Sequence, residues 1–182
     1  MIRALLLVDI QNDYFPGGKM ELVAMTAAAA QARKLLEAFR QRQWPTYHIQ
    51  HVSIRKGAPF FVPETPGVEI HASLAARPGE TVIEKHFPNS FRETGLQEQL
   101  TAAGVTELVI CGAMSHMCID ATTRAAADLG FTCTVIHDAC ATRDLTFGDT
   151  VIPARQVHGA FMAALAFFYA RVSSLDDLLS GL

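Results

Sequence analysis

The sequence predicts an α/β protein built on a parallel sheet with helices on both faces, and three observations point to it. Short apolar runs alternate along the chain with longer segments of helical periodicity, which is typical of stacked βαβ units. Runs such as LLLVD and ELVICG are apolar throughout, as expected of strands that are covered on both faces. Gly104 and Gly130 stand where the C-terminal caps of two helices belong.

These patterns predict strands and helices in a regular order. The strands are predicted at Ala4–Asp9, Thr46–Val52, Thr81–Lys85, Glu107–Gly112, Thr132–Ala139 and Ala170–Val172. The helices are predicted at Ala27–Arg42, Gly95–Ala103, Met117–Leu129, Val151–Phe168 and Leu175–Leu179. The segment from Ser53 to Gly79 carries four prolines and is predicted to be a loop with a short helix at Val68–Ala75.

Composition predicts one domain, residues 1–182, with a substantial core. Half of the residues are hydrophobic and the formal net charge is −3, so neither disorder nor a nucleic-acid partner is expected. Four cysteines without a C-x-x-C pair predict reduced thiols in a cytoplasmic protein. The apolar run before Asp9 is too short for a signal-peptide core, and Gly159–Ala170 is too short to span a bilayer, so we expect no membrane contact.

Three ionisable residues stand at the ends of apolar runs. Asp9 closes ALLLVD, Lys85 closes TVIEK, and Cys118 follows the run ELVICGAMSHMC. The ends of neighbouring parallel strands meet in one crevice, where open α/β sheets bind their ligands. A thiol flanked there by a cation and a base is a candidate nucleophile for acyl transfer.

Each of these residues also has a purely structural interpretation. Cys118 could be a buried core thiol, Asp9 a turn cap and Lys85 a marker of the sheet edge. Their coincidence at one crevice favours a functional cluster, because buried charges persist when they are paired or used.

Cys118 is predicted to lie in the first turn of the helix Met117–Leu129. The positive end of the helix dipole would lower the pKa of the thiol there, and unpaired N–H groups of such a turn can stabilise an oxyanion. We expect Lys85 to favour the thiolate and to hold the carboxylate. Asp9 would then exchange protons with the thiol, water and the leaving group.

Three segments in order closely resemble the signatures of the isochorismatase-like cysteine hydrolases: VDIQNDYF, IEKHFPNSF and CGAMSHMCIDATTRAAADLGF. The stretch DACATRD also resembles the family's sequence after the fifth strand. The resemblance runs from about Leu5 to the last helix. It implies a three-layer α/β/α, Rossmann-like fold with a mostly parallel six-stranded sheet and a catalytic triad formed by Asp9, Lys85 and Cys118.

The resemblance also implies the geometry just before the nucleophile. The family usually has a non-proline cis peptide there, which corresponds to Ala113–Met114 in this chain. That bond would aim the N–H groups of Met114 and Cys118 into the oxyanion hole.

His48 and His51 raise the question of a metal. They are three residues apart on a predicted strand and therefore point to opposite faces, so they are not expected to share an ion. The family's metal-binding nicotinamidases carry Asp-x-His at this strand end and further histidines in the next loop. This chain has HVS at 51–53 and two phenylalanines at 60 and 61, so we expect neither a metal nor another cofactor.

The predicted substrate pocket draws on side chains near the crevice. These candidates are Phe15, His51, Phe87, His116 and Met117. Aromatic and methionine side chains are more often core than pocket. If they line the site, the substrate has an apolar or planar part.

The leading functional hypothesis is a metal-independent hydrolase of small-molecule amides that works through a thioester on Cys118. The resemblance implies that family members act on nicotinamide, carbamoyl compounds and similar amides, whereas others cleave the vinyl ether of isochorismate. The isochorismate-cleaving relatives need no cysteine nucleophile, so Cys118 favours amides and leaves ether cleavage as the alternative.

A second alternative is a thiol redox sensor on the same fold, with a reversible disulfide between Cys118 and Cys140. The absence of a C-x-x-C pair argues against it, and it leaves Asp9 and Lys85 without a role. A nucleotide-binding module is disfavoured because the chain has no G-x-G-x-x-G and no Walker lysine. Apolar helices such as Gly159–Ala170 predict that the protein forms a homo-oligomer. The only other partner that we expect is a small-molecule substrate.

Overall fold

A six-stranded parallel sheet forms the centre of the protein, of which a computed structural model describes residues 2–181. Its strands lie in the order β3-β2-β1-β4-β5-β8, and all five neighbouring pairs are parallel. They are β1 (Ile2–Val8), β2 (Thr46–His51), β3 (Thr81–Lys85), β4 (Val105–Ala113), β5 (Thr132–Ala141) and β8 (Arg171–Ser173). The predicted fold class and strand order along the chain are confirmed.

Five helices cover the two faces of this sheet. They are α1 (Met25–Gln41), α2 (Leu96–Ala102), α3 (Asp120–Asp128), α4 (Ala154–Phe168) and α5 (Leu175–Ser180). Alternate residues of β1 point to opposite faces. Leu5 and Leu7 belong to the core shared with α1 and α5, whereas Leu6 and Val8 belong to the core shared with α2, α3 and α4. The uniformly apolar β1 run therefore reflects a strand that is buried on both sides.

Two predicted helices begin later than the sequence pattern suggests. A single π-helical turn, Ser115–Ile119, precedes α3, so the helix starts at Asp120 and not at Met117. Helix α4 starts at Ala154, directly after Pro153. The residues before Pro153 form an unpredicted antiparallel hairpin of β6 (Leu145–Phe147) and β7 (Thr150–Ile152).

The predicted short helix at Val68–Ala75 is wrong. The long loop between β2 and β3 instead contains two single 3₁₀ turns, Pro66–Val68 and Ala72–Leu74. Both are too short for the hydrogen-bond pattern of an α-helix. No helix within residues 2–181 is long and apolar enough to cross a membrane.

Candidate active site

Asp9 stands at the carboxyl end of β1 and is completely buried. Its backbone has the left-handed conformation, with φ of 52°, so the chain turns sharply as it leaves the strand. Its N–H still donates to the carbonyl of Ile49, at 3.0 Å, which keeps the turn attached to β2. The turn therefore holds the carboxylate at the edge of the sheet.

Lys85 ends β3 and is 1% exposed. Strand β2 separates β3 from β1, so the strands that lead to Asp9, Lys85 and Cys118 are not all direct neighbours. The long lysine side chain spans this gap and places Nζ 2.9 Å from Asp9 Oδ2. Nζ also lies 3.2 Å from the Sγ of Cys118 and 3.0 Å from the carbonyl of Phe87.

Cys118 lies in the π-helical turn that follows β4, and its side chain is buried. The Ala113–Met114 peptide that leads into this turn is cis. The Met114 carbonyl accepts hydrogen bonds from the N–H groups of Met117, at 3.0 Å, and Ile119, at 3.2 Å. Hydrogen bonds within the turn thus fix the position of the thiol next to the ends of β1 and β3.

The charges of Asp9 and Lys85 stabilise each other. Burial by itself raises the pKa of the Asp9 carboxyl, but the Lys85 ammonium and His51 outweigh it and hold this pKa below its usual value. Burial alone lowers the pKa of Lys85, and the negative charge of Asp9 more than restores it. The pair is therefore ionised at neutral pH.

The pKa of the Cys118 thiol is raised, whereas its position at the start of a helix predicted a lowered one. Burial raises the pKa of the Cys118 thiol well above its ordinary value, and the negative charge of Asp9 raises it further. The Lys85 ammonium opposes this shift without cancelling it. A raised pKa favours the protonated form of the thiol, which would need a base to become a nucleophile.

The Asp9 carboxylate is placed to be that base. One of its oxygens lies within 4.8 Å of Cys118 Sγ. Its Oδ2 forms the ion pair with Lys85 at 2.9 Å, and within residues 2–181 no hydrogen-bond donor contacts Oδ1. A buried carboxylate with free acceptor capacity can take a proton from the thiol.

His51, which the sequence predicted only as a pocket residue near the crevice, belongs to this cluster. Its Nδ1 lies 3.1 Å from Lys85 Nζ and 3.8 Å from Asp9 Oδ2. Asp9, His51 and Cys118 each offer a ligand atom that a metal ion could use, all within 4.8 Å of one another. The Lys85 ammonium contacts these same three side chains, so it holds the position that a bound cation would need.

The other predicted pocket residues are dispersed. Phe15 stacks on His71, with ring centres 3.7 Å apart. Phe87 reaches the cluster through its carbonyl, while its ring lies 3.6 Å from the guanidinium of Arg92. His116 pairs with the Thr142 hydroxyl at 2.6 Å. Met117 is 41% exposed.

Tyr14 and Gln11 were not among the predicted site residues, although both belong to the segment VDIQNDYF at the end of β1. Tyr14 is buried against Phe61, with ring centres 4.6 Å apart. Burial, with the nearby negative charge of Asp9, raises the pKa of the Tyr14 hydroxyl well above its usual value. Their position immediately after Asp9 was the signal that could have identified them.

The long loop between β2 and β3 packs against the site through two aromatic residues, Phe60 and Phe61. Phe61 is fully buried, and its N–H donates to Asp13 Oδ2 at 2.7 Å. Phe60 packs on Tyr14 and also lines a cavity of about 430 Å³ between this loop and residues 12–19. Tyr14, Phe60 and Phe61 therefore form an aromatic wall beside the acid–ammonium–thiol cluster.

The structure is an α/β fold with a buried acid, ammonium and thiol together at the carboxyl edge of a doubly covered parallel sheet, a combination of groups that suits acyl transfer. The family model for the isochorismatase domain matches residues 3–166. YddQ, an uncharacterized isochorismatase family protein of Bacillus subtilis, is 52% identical over 179 residues, which cover 98% of this chain and 99% of its own. The chain belongs to the isochorismatase family.

A solved structure and two relatives with named activities agree with this assignment. An isochorismatase hydrolase structure from Oleispira antarctica has a TM-score of 0.95 and 54% identity, and the match covers 99% of this chain and 97% of that one. Streptothricin hydrolase of Streptomyces noursei is 40% identical over 147 residues, 79% of this chain and 51% of its own. The ureidoacrylate amidohydrolase RutB of Variovorax paradoxus is 26% identical over 209 residues, with coverage of 97% and 79%. The chain is an isochorismatase-family hydrolase.

Proposed function

We propose that this protein hydrolyses the C–N bond of a small-molecule amide through a thioester on Cys118, without a metal. One observation carries the proposal: a buried carboxylate, Asp9, has unused acceptor capacity within 4.8 Å of a buried thiol. The Lys85 ammonium contacts both groups and keeps the carboxylate ionised. The amidohydrolase activity named for RutB supports the amide class.

The acylation step begins with the thiol. Asp9 takes the proton from Cys118 as Sγ bonds to the carbonyl carbon, and the carbonyl π electrons move onto oxygen. When this tetrahedral intermediate collapses, the C–N bond breaks. Protonated Asp9 then gives its proton to the leaving nitrogen, so an amine or ammonia departs and a thioester remains.

Deacylation repeats the sequence with water. Asp9 takes a proton from the water as its oxygen attacks the thioester carbonyl. Collapse breaks the C–S bond, and Asp9 returns the proton to the sulfur. Lys85 remains protonated throughout, and its charge stabilises the sulfur anion as it develops at 3.2 Å.

The oxyanion of both intermediates would be held by the backbone N–H groups of Met114 and Cys118. These residues begin and line the turn Ser115–Ile119, next to the thiol. Loss of one such donor typically costs about 3 kcal/mol in the barrier.

The test is ammonia release from a panel of small primary amides, with and without a chelator. We expect turnover that resists the chelator and disappears in Cys118→Ala, while Cys140→Ala, another buried thiol, retains it. Intact-mass spectrometry should show an acyl adduct on the wild type only. Turnover that survives Cys118→Ala, or loss of isochorismate without amide turnover, would refute the thioester mechanism.

The redox alternative has no comparable support. All four cysteines are free, and Cys140 pairs in register with Gly112 on β4, next to Cys111, whose pKa it helps to raise. The pKa of Cys118 responds to Asp9 and Lys85 instead. A reversible oxidised form under mild peroxide, with no amide turnover, would favour the sensor.

Three broader predictions belong to the same proposal. We propose that residues 1–182 form one domain, since both apolar cores pack on a single sheet. A cytoplasmic location is supported by the four free cysteines. A homo-oligomer is supported by Phe167 and Phe168 on α4, which are 91% and 79% exposed.

A further inference from the structure

We propose that the Nε2–H group of His51 binds the substrate, by donating a hydrogen bond to an acceptor atom beside the scissile carbonyl. The inference rests on the proposed amide hydrolysis and adds a substrate class to it. That class is small amides with a second acceptor, such as a carboxylate, a carbonyl or a ring nitrogen, next to the amide group.

The backbone of His51 is clamped from both sides by the side chain of Gln11. The amide oxygen of Gln11 accepts from the His51 N–H at 2.8 Å, and its amide nitrogen donates to the His51 carbonyl at 2.8 Å. The same nitrogen donates to the Val68 carbonyl at 2.7 Å. Gln11 is fully buried, so this clamp fixes the residue that carries the imidazole.

The contact with Lys85 determines which ring nitrogen carries the proton. Nδ1 lies 3.1 Å from the Lys85 ammonium, which can only donate. An Nδ1 that accepts from this ammonium carries no proton, and the ring N–H of that tautomer is on Nε2. The catalytic cluster thus presents one N–H donor on the far side of this ring.

That donor is available to a ligand. Within residues 2–181 no hydrogen-bond partner reaches Nε2, and this nitrogen is not enclosed in the way that the two Asp9 oxygens are. The His51 side chain is 17% exposed, whereas those of Asp9 and Lys85 are 0% exposed. An incoming substrate therefore meets the imidazole before it meets the charged pair.

Chemistry then limits what His51 can recognise. An N–H donor pairs with oxygen or nitrogen acceptors, and the adjacent Lys85 ammonium disfavours a cationic substituent. The ring of Phe61, centred 5.8 Å from the imidazole, provides an apolar surface beside the donor. A compact amide with one acceptor substituent fits this combination of groups.

Two conservative variants separate this role from that of holding Lys85. In His51→Asn, the amide oxygen can replace Nδ1 as the acceptor for Lys85, but the Nε2 donor is lost. In His51→Gln, the amide nitrogen can replace the Nε2 donor, whereas the Nδ1 acceptor is lost. Both variants keep a polar side chain, and circular dichroism with a thermal melt confirms that each folds.

The measurement is kcat/KM on matched amide pairs that differ in the acceptor: picolinamide and nicotinamide against benzamide, and oxamate against isobutyramide. We expect the wild type to prefer the acceptor-bearing member of the pair that it hydrolyses. His51→Asn should reduce that preference, measured as the ratio of the two kcat/KM values, roughly tenfold, the effect of one hydrogen bond. His51→Gln should retain the preference.

The opposite pattern would overturn the proposal. If His51→Asn kept the wild-type preference while His51→Gln lost activity on both members equally, His51 would only hold Lys85. If the wild type hydrolysed no amide, the proposed function would fail separately. Alkylation of Cys118 would then still test His51: iodoacetamide, which carries an acceptor carbonyl, should react severalfold more slowly with His51→Asn, and iodomethane should not. Equal iodoacetamide rates for the variant and the wild type would refute the inference.

Discussion

Replacing Lys85 by methionine should reveal how strongly the buried charge pair depends on the ammonium. Methionine keeps much of the apolar stem and removes the charge. Asp9 is completely buried, and within residues 2–181 its oxygens accept no other hydrogen bond of good geometry, so the variant would leave a carboxylate without a partner. Breaking a buried pair in this way typically costs about 3–5 kcal/mol, and we expect that loss in the free energy of unfolding at pH 7.

The reciprocal variant Asp9→Asn should cost less. After that change the Lys85 ammonium keeps four acceptors, namely Cys118 Sγ, His51 Nδ1 and the carbonyls of Phe87 and Pro88. A loss of about 1–2 kcal/mol is expected, on the scale of one charged hydrogen bond. The double variant Asp9→Asn/Lys85→Met should recover part of the single Lys85→Met loss, because no buried charge is then left unpaired.

Urea unfolding at pH 7 and pH 5 checks both magnitude and sign. In the wild type the Asp9 pKa is lowered, so its contribution is present above the ordinary aspartate pKa and is lost as the pH falls through the folded value. In Lys85→Met, burial without compensation raises that pKa, and the deficit should shrink as the pH falls from 7 to 5. Equal losses for the two single variants, or a deficit that does not change with pH, would refute this reasoning.

Three further predictions concern the thiol, the packing and the assembly. Because the pKa of Cys118 is raised, its alkylation by iodoacetamide should be slow at pH 7 and should accelerate toward alkaline pH. A plateau of the alkylation rate below pH 8 would contradict a resting thiol. Gly112→Ala should lower the unfolding free energy by more than about 3 kcal/mol, since the added Cβ would lie 2.0 Å from the Val8 carbonyl oxygen at a residue with φ of 124°. Gly159→Ala, on the open face of α4, should instead raise it by about 0.5–1 kcal/mol. Chemical denaturation measures both changes, and a similar effect of the two substitutions would argue against this reasoning. Phe167→Glu should shift the sedimentation coefficient toward that of a monomer, and an unchanged value would exclude this part of α4 from an interface.

The fold could be predicted because its main signals are local. Uniformly apolar runs, helical periodicity and glycines with positive φ after α2 and α3 are all present in short segments of sequence. The hairpin β6–β7 was missed since each of its strands has three residues, too few to show an alternating pattern. The start of α3 was misplaced because the π-helical turn Ser115–Ile119 runs directly into the helix, so the residues before Asp120 are helical without being α-helical.

The sequence by itself determined which residue types stand at the ends of the strands. It therefore indicated an acid, an ammonium and a thiol, Asp9, Lys85 and Cys118, as the candidate machinery of a hydrolase. The positions of these residues follow from where each apolar run stops. The resemblance of three motifs to a known family additionally indicates which family the chain belongs to.

Only the tertiary structure decided how these groups are charged and what surrounds them. Whether the Cys118 thiol is ionised depends on burial and on the distance to Asp9, and no local pattern encodes either quantity. His51 entered the cluster because β2 lies between β1 and β3, a pairing between distant segments of the chain. Electrostatic free energy depends on separations in space, and folding determines those separations by packing elements that are far apart in sequence.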